Sequence, residues 1–373
     1  MLRNWYLSCV LAAMAAGSAL AQTGTGFKLY NPAIATFPVV GGREWHTGLA
    51  SFFDRLPQRI SDSLRRPVWD LSHNSAGEYI DFTTDATTID VSYKVTHKTI
   101  LANLTTIAAN GVDLYLQDVS GVWYWIQGAW AFSSDTIHFR YDHIQRPGAV
   151  KRFRLYLPLY SSPEWLNIGV PSVNSFSFVP VDIRQRPIVI YGTSILQGAS
   201  ASRPGLAWSN MLGRHLSLPI INLGFSGNGQ LEVPVTGLIA TIEASAYILD
   251  CLPNLYDAEK FSDTEVNRRI TLAVAMLRRA HPATPIVLTE HADGLSSITL
   301  DSTYRAKYKR VNTILDSTFT ALVRQGYKRL YLLTAKQIGF TDNSTIDGTH
   351  PGDIGMAAYA KAYEKLLKAI LRH

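Results

Sequence analysis

Residues 188–198 read IVIYGTSILQG. Ile188, Val189, Ile190, Tyr191 and Gly192 form the unbroken apolar, largely β-branched run of a strand covered on both faces, a kind of strand found mostly in parallel sheets. The run stops at Gly192. Ser194 follows where a tight turn should lead into a helix, and Gly198 with Pro204-Gly205 bounds the loop beyond. A serine on a strand-to-helix turn, at the carboxyl edge of a parallel sheet, sits where an open α/β protein places a nucleophile. The same residue also suits a plain helix N-cap, because its hydroxyl can accept a backbone N–H. The rest of the chain has to decide between the two.

Downstream, the pattern alternates. Apolar residues at helical spacing over 205–217 are followed by strands PIINLG (219–224), AYILDC (246–251), PIVLTE (285–290) and RLYLLT (329–334). Ser262-Asp263-Thr264-Glu265 is a capping box opening a helix towards His281, residues 303–325 make another, and 352–372 form a final amphipathic helix. This rhythm predicts an α/β fold over 187–373, a doubly wound parallel five-stranded sheet with ligands at the carboxyl ends of its strands.

Four loops leave that edge. The first carries Ser194. The second, GFSGNG (224–229), is rich enough in glycine to present backbone N–H groups to an anion, and it lacks the Lys followed by Ser or Thr of a phosphate loop. The third ends on Asn254, an amide just past a buried strand or simply a turn residue. The fourth reads Asp347-Gly348-Thr349-His350-Pro351. With Asp and His three apart, the carboxylate can hold one imidazole nitrogen and leave the other free as a base. Metal binding competes poorly, since two ligands with no HxH, HExxH or cysteine partner do not fill a zinc site.

The amino-terminal half is a different kind of chain. Between about 27 and 180 it shows short β-rich runs: VWDL (68–71), EYIDF (78–82), TTIDVSYKV (87–95), GVDLYLQ (111–117), VWYWI (122–126), TIHFRY (136–141) and RFRLYLPLY (152–160). Seven strands with hairpin signals at Asn110-Gly111 and Ser120-Gly121 predict an antiparallel β-sandwich or jelly roll. Trp123, Tyr124, Trp125, Trp130, Phe132, Phe139 and Tyr141 crowd this half. Alternate members belong to a core, and outward ones could stack on sugars, so the domain reads equally as a carbohydrate-binding module or as a cap. Residues 174–186 read as the linker.

The ends and the composition narrow the setting. Arg3, an apolar run over 5–16 and Ala19-Leu20-Ala21 make a secretory signal peptide over 1–21, and the run is too short for a membrane span. A secreted or periplasmic protein of bacterial type, with no stable membrane insertion, is the expectation. Cleavage would leave Cys251 as the lone cysteine, unable to form an intrachain bridge. The formal charge of +6 is scattered rather than clustered, which argues against a nucleic-acid partner.

Taken in this order and on these loops, the residues resemble the SGNH hydrolase superfamily, also called GDSL esterases, whose four blocks are named for Ser, Gly, Asn and His. The resemblance covers about 188–373 and implies the flavodoxin-like form of the sheet. It implies Ser194 as nucleophile, Asp347 and His350 as the rest of a triad, and an oxyanion hole from the Ser194 N–H, Gly227 and Asn254. GVDLY (111–115) resembles the G-x-D-L-Y signature of a β domain that accompanies secreted SGNH proteins similar to carbohydrate esterases. Two departures stand out. Gly-Asp-Ser is here Gly192-Thr193-Ser194, and the usual Gly-x-Asn-Asp is Leu252-Pro253-Asn254-Leu255.

The resulting expectation is a secreted serine esterase that removes O-acetyl groups from an acetylated polysaccharide or oligosaccharide, with no cofactor and with an oligomeric state left open. The alternatives are a lipase- or thioesterase-type acylhydrolase, for which no long apolar lid is visible, and a non-catalytic glycan-binding protein. Arg203, Glu290, His291 and Asp293 are candidates for the substrate pocket, against a plainer role in solvating strand ends.

Overall fold

The computed structural model describes residues 26–132, 135–145, 148–294 and 302–371. The segment read as a signal peptide lies outside the described residues. No helix among the described residues is long and apolar enough to cross a membrane.

The amino-terminal half forms two antiparallel sheets. One runs in the order Phe27–Tyr30, Pro163–Pro171, Ile89–Val95, Ile137–Tyr141, Ala129–Phe132. The other runs Phe176–Phe178, Tyr79–Thr84, Lys151–Tyr156, Asp113–Gln117, Trp123–Ile126, with Val40–Gly41 added beside Tyr79–Thr84. Along Ile89–Val95 and Ile137–Tyr141, buried residues alternate strictly with more exposed ones, as a strand with one covered face requires. Their inward members, with Ile80, Phe82, Leu114, Phe153 and Leu155, form the core between the sheets. Asp118 closes the hairpin at Ser120-Gly121 by accepting the N–H groups of Ser120 and Val122 at 2.8 and 3.0 Å.

Three readings of this half are corrected. VWDL is no strand: it lies in the helix Arg66–Ser72, where Pro67 fits the first turn and Arg66 pairs with Asp70 one turn on. Asn110-Gly111 makes no hairpin. Asn110 ends the short helix Thr106–Asn110, and Gly111 leads into the next strand. The segment 174–186, read as a linker, contains the strand Phe176–Phe178, paired with Tyr79–Thr84.

The carboxyl-terminal half contains the parallel sheet, ordered Ile220–Gly224, Ile188–Gly192, Ala246–Asp250, Ile286–Thr289, Leu330–Leu333. Numbered along the chain this is 2-1-3-4-5, the flavodoxin-like order, which changes direction beside Ile188–Gly192. The continuous apolar run of the first strand is explained by its two faces. Val189 and Tyr191 enter one core, Ile188 and Ile190 the other, and helices cover both.

Both of these cores also take residues from the amino-terminal half. Leu56, Ile60 and Val68 join the first; Ala76, Ala108, Leu159 and Tyr160 join the second. Arg55 fastens the seam. It is fully buried and donates to the carbonyls of Asn74 (2.7 Å), Leu71 (2.7 Å), Asn222 (2.9 Å) and Gly224 (2.9 Å), with its guanidinium 5.0 Å from the Phe225 ring centre. Burial pulls its pKa down to about 10, which still leaves it charged at neutral pH.

Two buried carboxyls behave differently. Asp250 ends the third strand with the Tyr363 hydroxyl (3.1 Å) as its one side-chain partner among the described residues, and burial raises its pKa to about 7. Glu78, buried against Arg43 (3.4 Å), is raised by burial to about 7 as well.

Two stability outcomes follow. Arg55→Ala leaves four buried carbonyls without their donor, at roughly 1 kcal/mol or more each, so a loss of about 4 kcal/mol is expected in urea unfolding. A raised carboxyl pKa means that the folded state holds a proton the unfolded chain releases near 3.8, so stability falls as pH rises from about 4 to about 7. Asp250→Asn should therefore raise Tm relative to the parent at pH 8 but not at pH 4; an equal effect at both would refute the assignment.

Candidate active site

Ser194 lies at the turn after the first strand and opens the short helix Ser194–Gln197. The cap of that helix is Thr193, whose Oγ1 accepts the Ile195 N–H at 3.3 Å. The alternative reading of Ser194 as the cap is thereby overturned, and its hydroxyl is free for another partner. A threonine hydroxyl satisfies a first-turn N–H as a carboxylate would, which accounts physically for Thr193 at this position. The helix ends at Gly198 with φ of 108°, a conformation that suits glycine.

The partner of Ser194 is His350. Ser194 Oγ is 2.8 Å from His350 Nε2, and His350 Nδ1 is 2.8 Å from Asp347 Oδ2. The loop that carries both is braced by itself. Asp347 Oδ1 accepts the N–H groups of His350 (2.8 Å) and Thr349 (3.1 Å), Ile346 N–H donates to the His350 carbonyl (3.0 Å), and Gly348 N–H donates to Thr345 Oγ1 (3.0 Å). Burial works to raise the Asp347 pKa, but the hydrogen bonds from the His350 backbone and ring, helped by imidazolium charge and Thr349 N–H, hold it below the ordinary carboxylate value. Asp347 is thus kept ionised, with the imidazole held by one nitrogen and its other nitrogen facing Ser194.

The glycine loop lies against this turn. Backbone approaches are close enough that a Cβ on Gly229 would fall 2.0 Å from the Gly192 carbonyl, and one on Gly224 2.4 Å from the Gln197 nitrogen. Gln197, fully buried, links the two by accepting the Ser226 N–H at 2.9 Å. Gly227 has φ of 68°, and the N–H groups of Ser194 and Gly227 meet no acceptor among the described residues. Asn254 belongs to the same cluster. With its amide turned so that Oδ1 faces the glycine loop, that oxygen accepts the N–H groups of Asn228 (2.9 Å) and Gly229 (3.0 Å), which leaves Nδ2 on the opposite side. Despite its unusual flanks, the third block brings its amide to the glycine loop.

The pocket candidates fare differently. Arg203 is engaged by the amino-terminal half, donating to Asp113 Oδ2 and the Tyr115 hydroxyl at 2.6 Å each and lying 4.4 Å from the Trp125 ring centre. Asp113 also accepts from Gly205 N–H (2.9 Å) and Trp125 Nε1 (2.8 Å). The Asp and Tyr of GVDLY are therefore the clasp between the two halves. Glu290 is spent at the start of the helix Ala335–Ile338, accepting the Ala335 N–H at 2.6 Å. His291 does lie near His350. It is fully buried, packed edge-on against Tyr308 at 4.1 Å between ring centres, and burial together with the nearby His350 charge lowers its pKa to about 3, so it is neutral. Tyr308 in turn bonds Thr349 Oγ1 at 2.5 Å. Asp293 is half-buried on the same loop.

Sequence reasoning missed Gln197 and Asn103. Gln197 stands in the quoted ILQG, but a glutamine there carries no signal without knowledge of the loop it meets. Asn103, from the amino-terminal half, places Nδ2 3.2 Å from Asp347 Oδ2. Of the aromatics, Phe139 and Tyr141 are core, while Tyr124, Trp125 and Trp130 are about half exposed. Trp125 and Trp130 line a groove of about 720 Å³ with Arg140 and His143.

Comparisons with known proteins agree with this arrangement. The model described as "GDSL-like Lipase/Acylhydrolase family" matches residues 185–368, and the one described as "N-terminus of Esterase_SGNH_hydro-type" matches 27–176. A solved structure from Bacteroides ovatus, a putative GDSL-like lipase, is 33% identical with a TM-score of 0.83, covering 93% of this chain and 98% of that one. The salicylyl-acyltransferase SsfX3 of a tetracycline biosynthetic pathway is 15% identical (TM-score 0.72; 92% and 97% covered). A family two carbohydrate esterase from Cellvibrio japonicus is 12% identical (TM-score 0.57; 93% and 98% covered). The last two are alike in fold only. No curated protein matches the chain.

Proposed function

Because the chain belongs to the GDSL-like lipase/acylhydrolase family of SGNH esterases, we propose that it is a serine esterase that removes O-acetyl groups from polysaccharides. The observation that carries this reading is the chain of contacts from Ser194 Oγ to His350 Nε2 and from His350 Nδ1 to Asp347 Oδ2, each 2.8 Å.

Through Nε2, His350 takes the Ser194 proton as Oγ attacks the ester carbonyl, and Asp347 holds the tautomer and the imidazolium that results. The oxyanion is met by the N–H groups of Ser194 and Gly227, which donate to no other backbone group among the described residues, and by Asn254 Nδ2, on the side of its amide away from the glycine loop. His350 then gives its proton to the departing sugar hydroxyl. Water, deprotonated by the same nitrogen, attacks the acyl-enzyme and releases acetate. Neutral His291 beside His350 adds no competing positive charge near the developing imidazolium.

The acetyl-polysaccharide reading draws on three supports: the signal-like start of the chain, which implies export, the likeness in fold to carbohydrate esterases, and the half-exposed Trp125 and Trp130 around an open groove on the sandwich. The purified protein is expected to cleave p-nitrophenyl acetate and to release acetate from a panel of acetylated polysaccharides. Preference for long acyl chains would replace this reading with a lipase or thioesterase, and consumption of the ester only with an added alcohol acceptor would replace it with an acyltransferase.

Ser194→Ala should lower kcat by at least about 10⁴-fold, since the remaining site supplies only binding and oxyanion contacts. Activity surviving that change would sink the mechanism. Asn254→Ala should cost about 10²- to 10³-fold in kcat with little change in KM, the loss expected for one oxyanion donor. An unchanged kcat would remove Asn254 from the oxyanion hole.

A further inference from the structure

Asp347 and His350 stand on one short loop, yet one of the groups that holds them comes from the other half of the molecule. Asn103 lies in the segment before the helix Thr106–Asn110, in the region that reads as the β domain. Its Nδ2 donates to Asp347 Oδ2 at 3.2 Å, the same oxygen that takes the His350 ring proton, and lies 3.4 Å from His350 Nδ1. With Nδ1 protonated towards Asp347, both nitrogens are donors, so the carboxylate oxygen is their common acceptor. Asp347 Oδ1 is already occupied by two backbone N–H groups of its own loop. Asn103 is thus the one donor to this carboxylate, among the described residues, that arrives from outside the loop.

The segment is fixed at both sides of the site. The Asn103 carbonyl accepts from Ser200 Oγ (2.8 Å), just beyond the nucleophile helix, and Thr105 Oγ1 donates to the Ser202 carbonyl (2.6 Å). Ser202 is held by N–H and Oγ to Asp353 (2.9 and 2.7 Å) in the first turn of the helix after His350. Leu104 packs on the α/β core. Such anchoring suits a group whose task is orientation, because an amide on a free loop would lose in ordering what it gained in the bond. The Asp347 side chain is 39% exposed, so without Asn103 its Oδ2 would face water and turn more freely.

We propose that Asn103 is a positioning residue for the Asp347–His350 pair, and that the β domain completes the catalytic machinery instead of only accompanying it. The inference rests on the esterase reading above.

The test is a double-mutant cycle on p-nitrophenyl acetate with the full chain. Asn103→Ala should lower kcat about tenfold, the worth of one charge-assisted hydrogen bond, with KM within about twofold and Tm unchanged. Asn103→Leu, nearly isosteric, should do the same and guards against a packing defect. Placed on Asp347→Ala, whose residual rate single-turnover measurements can follow, Asn103→Ala should have almost no further effect, since the group it orients is gone. Wild-type kcat in Asn103→Ala, or the same tenfold loss with and without Asp347, would overturn the proposal. An inactive parent protein would instead refute the esterase reading.

Discussion

The site depends on how closely three stretches of backbone approach around Ser194. The strand end at Gly192, the short helix Ser194–Gln197 and the glycine loop from Gly224 touch main chain to main chain, with no room for a Cβ on Gly224 or Gly229. That contact sets the N–H groups of Ser194 and Gly227, without a backbone acceptor among the described residues, on the same sheet edge, with the Asn254 amide turned to the loop at Asn228 and Gly229. Donors for an oxyanion are effective when fixed before the charge develops, and backbone locked by backbone is as fixed as a protein allows. A side chain on either glycine would push the loop from the nucleophile by more than the tolerance of a hydrogen bond.

The second constraint is the seam between the halves. Arg55 ties the amino-terminal segment to the carbonyls at the end of Ile220–Gly224, directly before the glycine loop. Asp113 and Tyr115 take Arg203 and the Gly205 N–H, on the loop that follows the helix Ser194–Gln197. Ties at these two places hold the glycine loop and the loop after Ser194–Gln197 from the amino-terminal half. A buried arginine with four carbonyl partners has few alternative arrangements, so the seam is specific in register as well as stable.

The legibility of the site follows from the range of the interactions. Ser194, Asp347 and His350 could be read because each sits in a local pattern: a strand followed by a turn, and an Asp-x-x-His loop whose spacing alone permits the carboxylate to hold the ring. The contact that Arg203 makes was out of reach of any local pattern, because its partner Asp113 lies 90 residues earlier in the other half. Glu290, a pocket candidate set against a plainer role in solvating a strand end, accepts the N–H of Ala335, 45 residues on. VWDL, strand-like by composition, became a helix because Pro67 starts one and Val68 is buried against the α/β core.

The sequence by itself determined the alternation of strands and helices from residue 188 onward, the sandwich character of the first half, and Ser194, Asp347 and His350 as candidates on the loops at one edge of the parallel sheet. Each of these rests on period, spacing or a turn within a few residues. Only the tertiary structure decided that Thr193 caps the helix and frees Ser194, that Asn254 meets the glycine loop, that the GVDLY residues form a clasp, and that Asn103 reaches Asp347. Those outcomes join groups that are tens to hundreds of residues apart, or choose between two hydroxyls side by side. Local propensity has no term for either, because the deciding energy is the satisfaction of a specific donor or acceptor that exists only once the chain has closed around it.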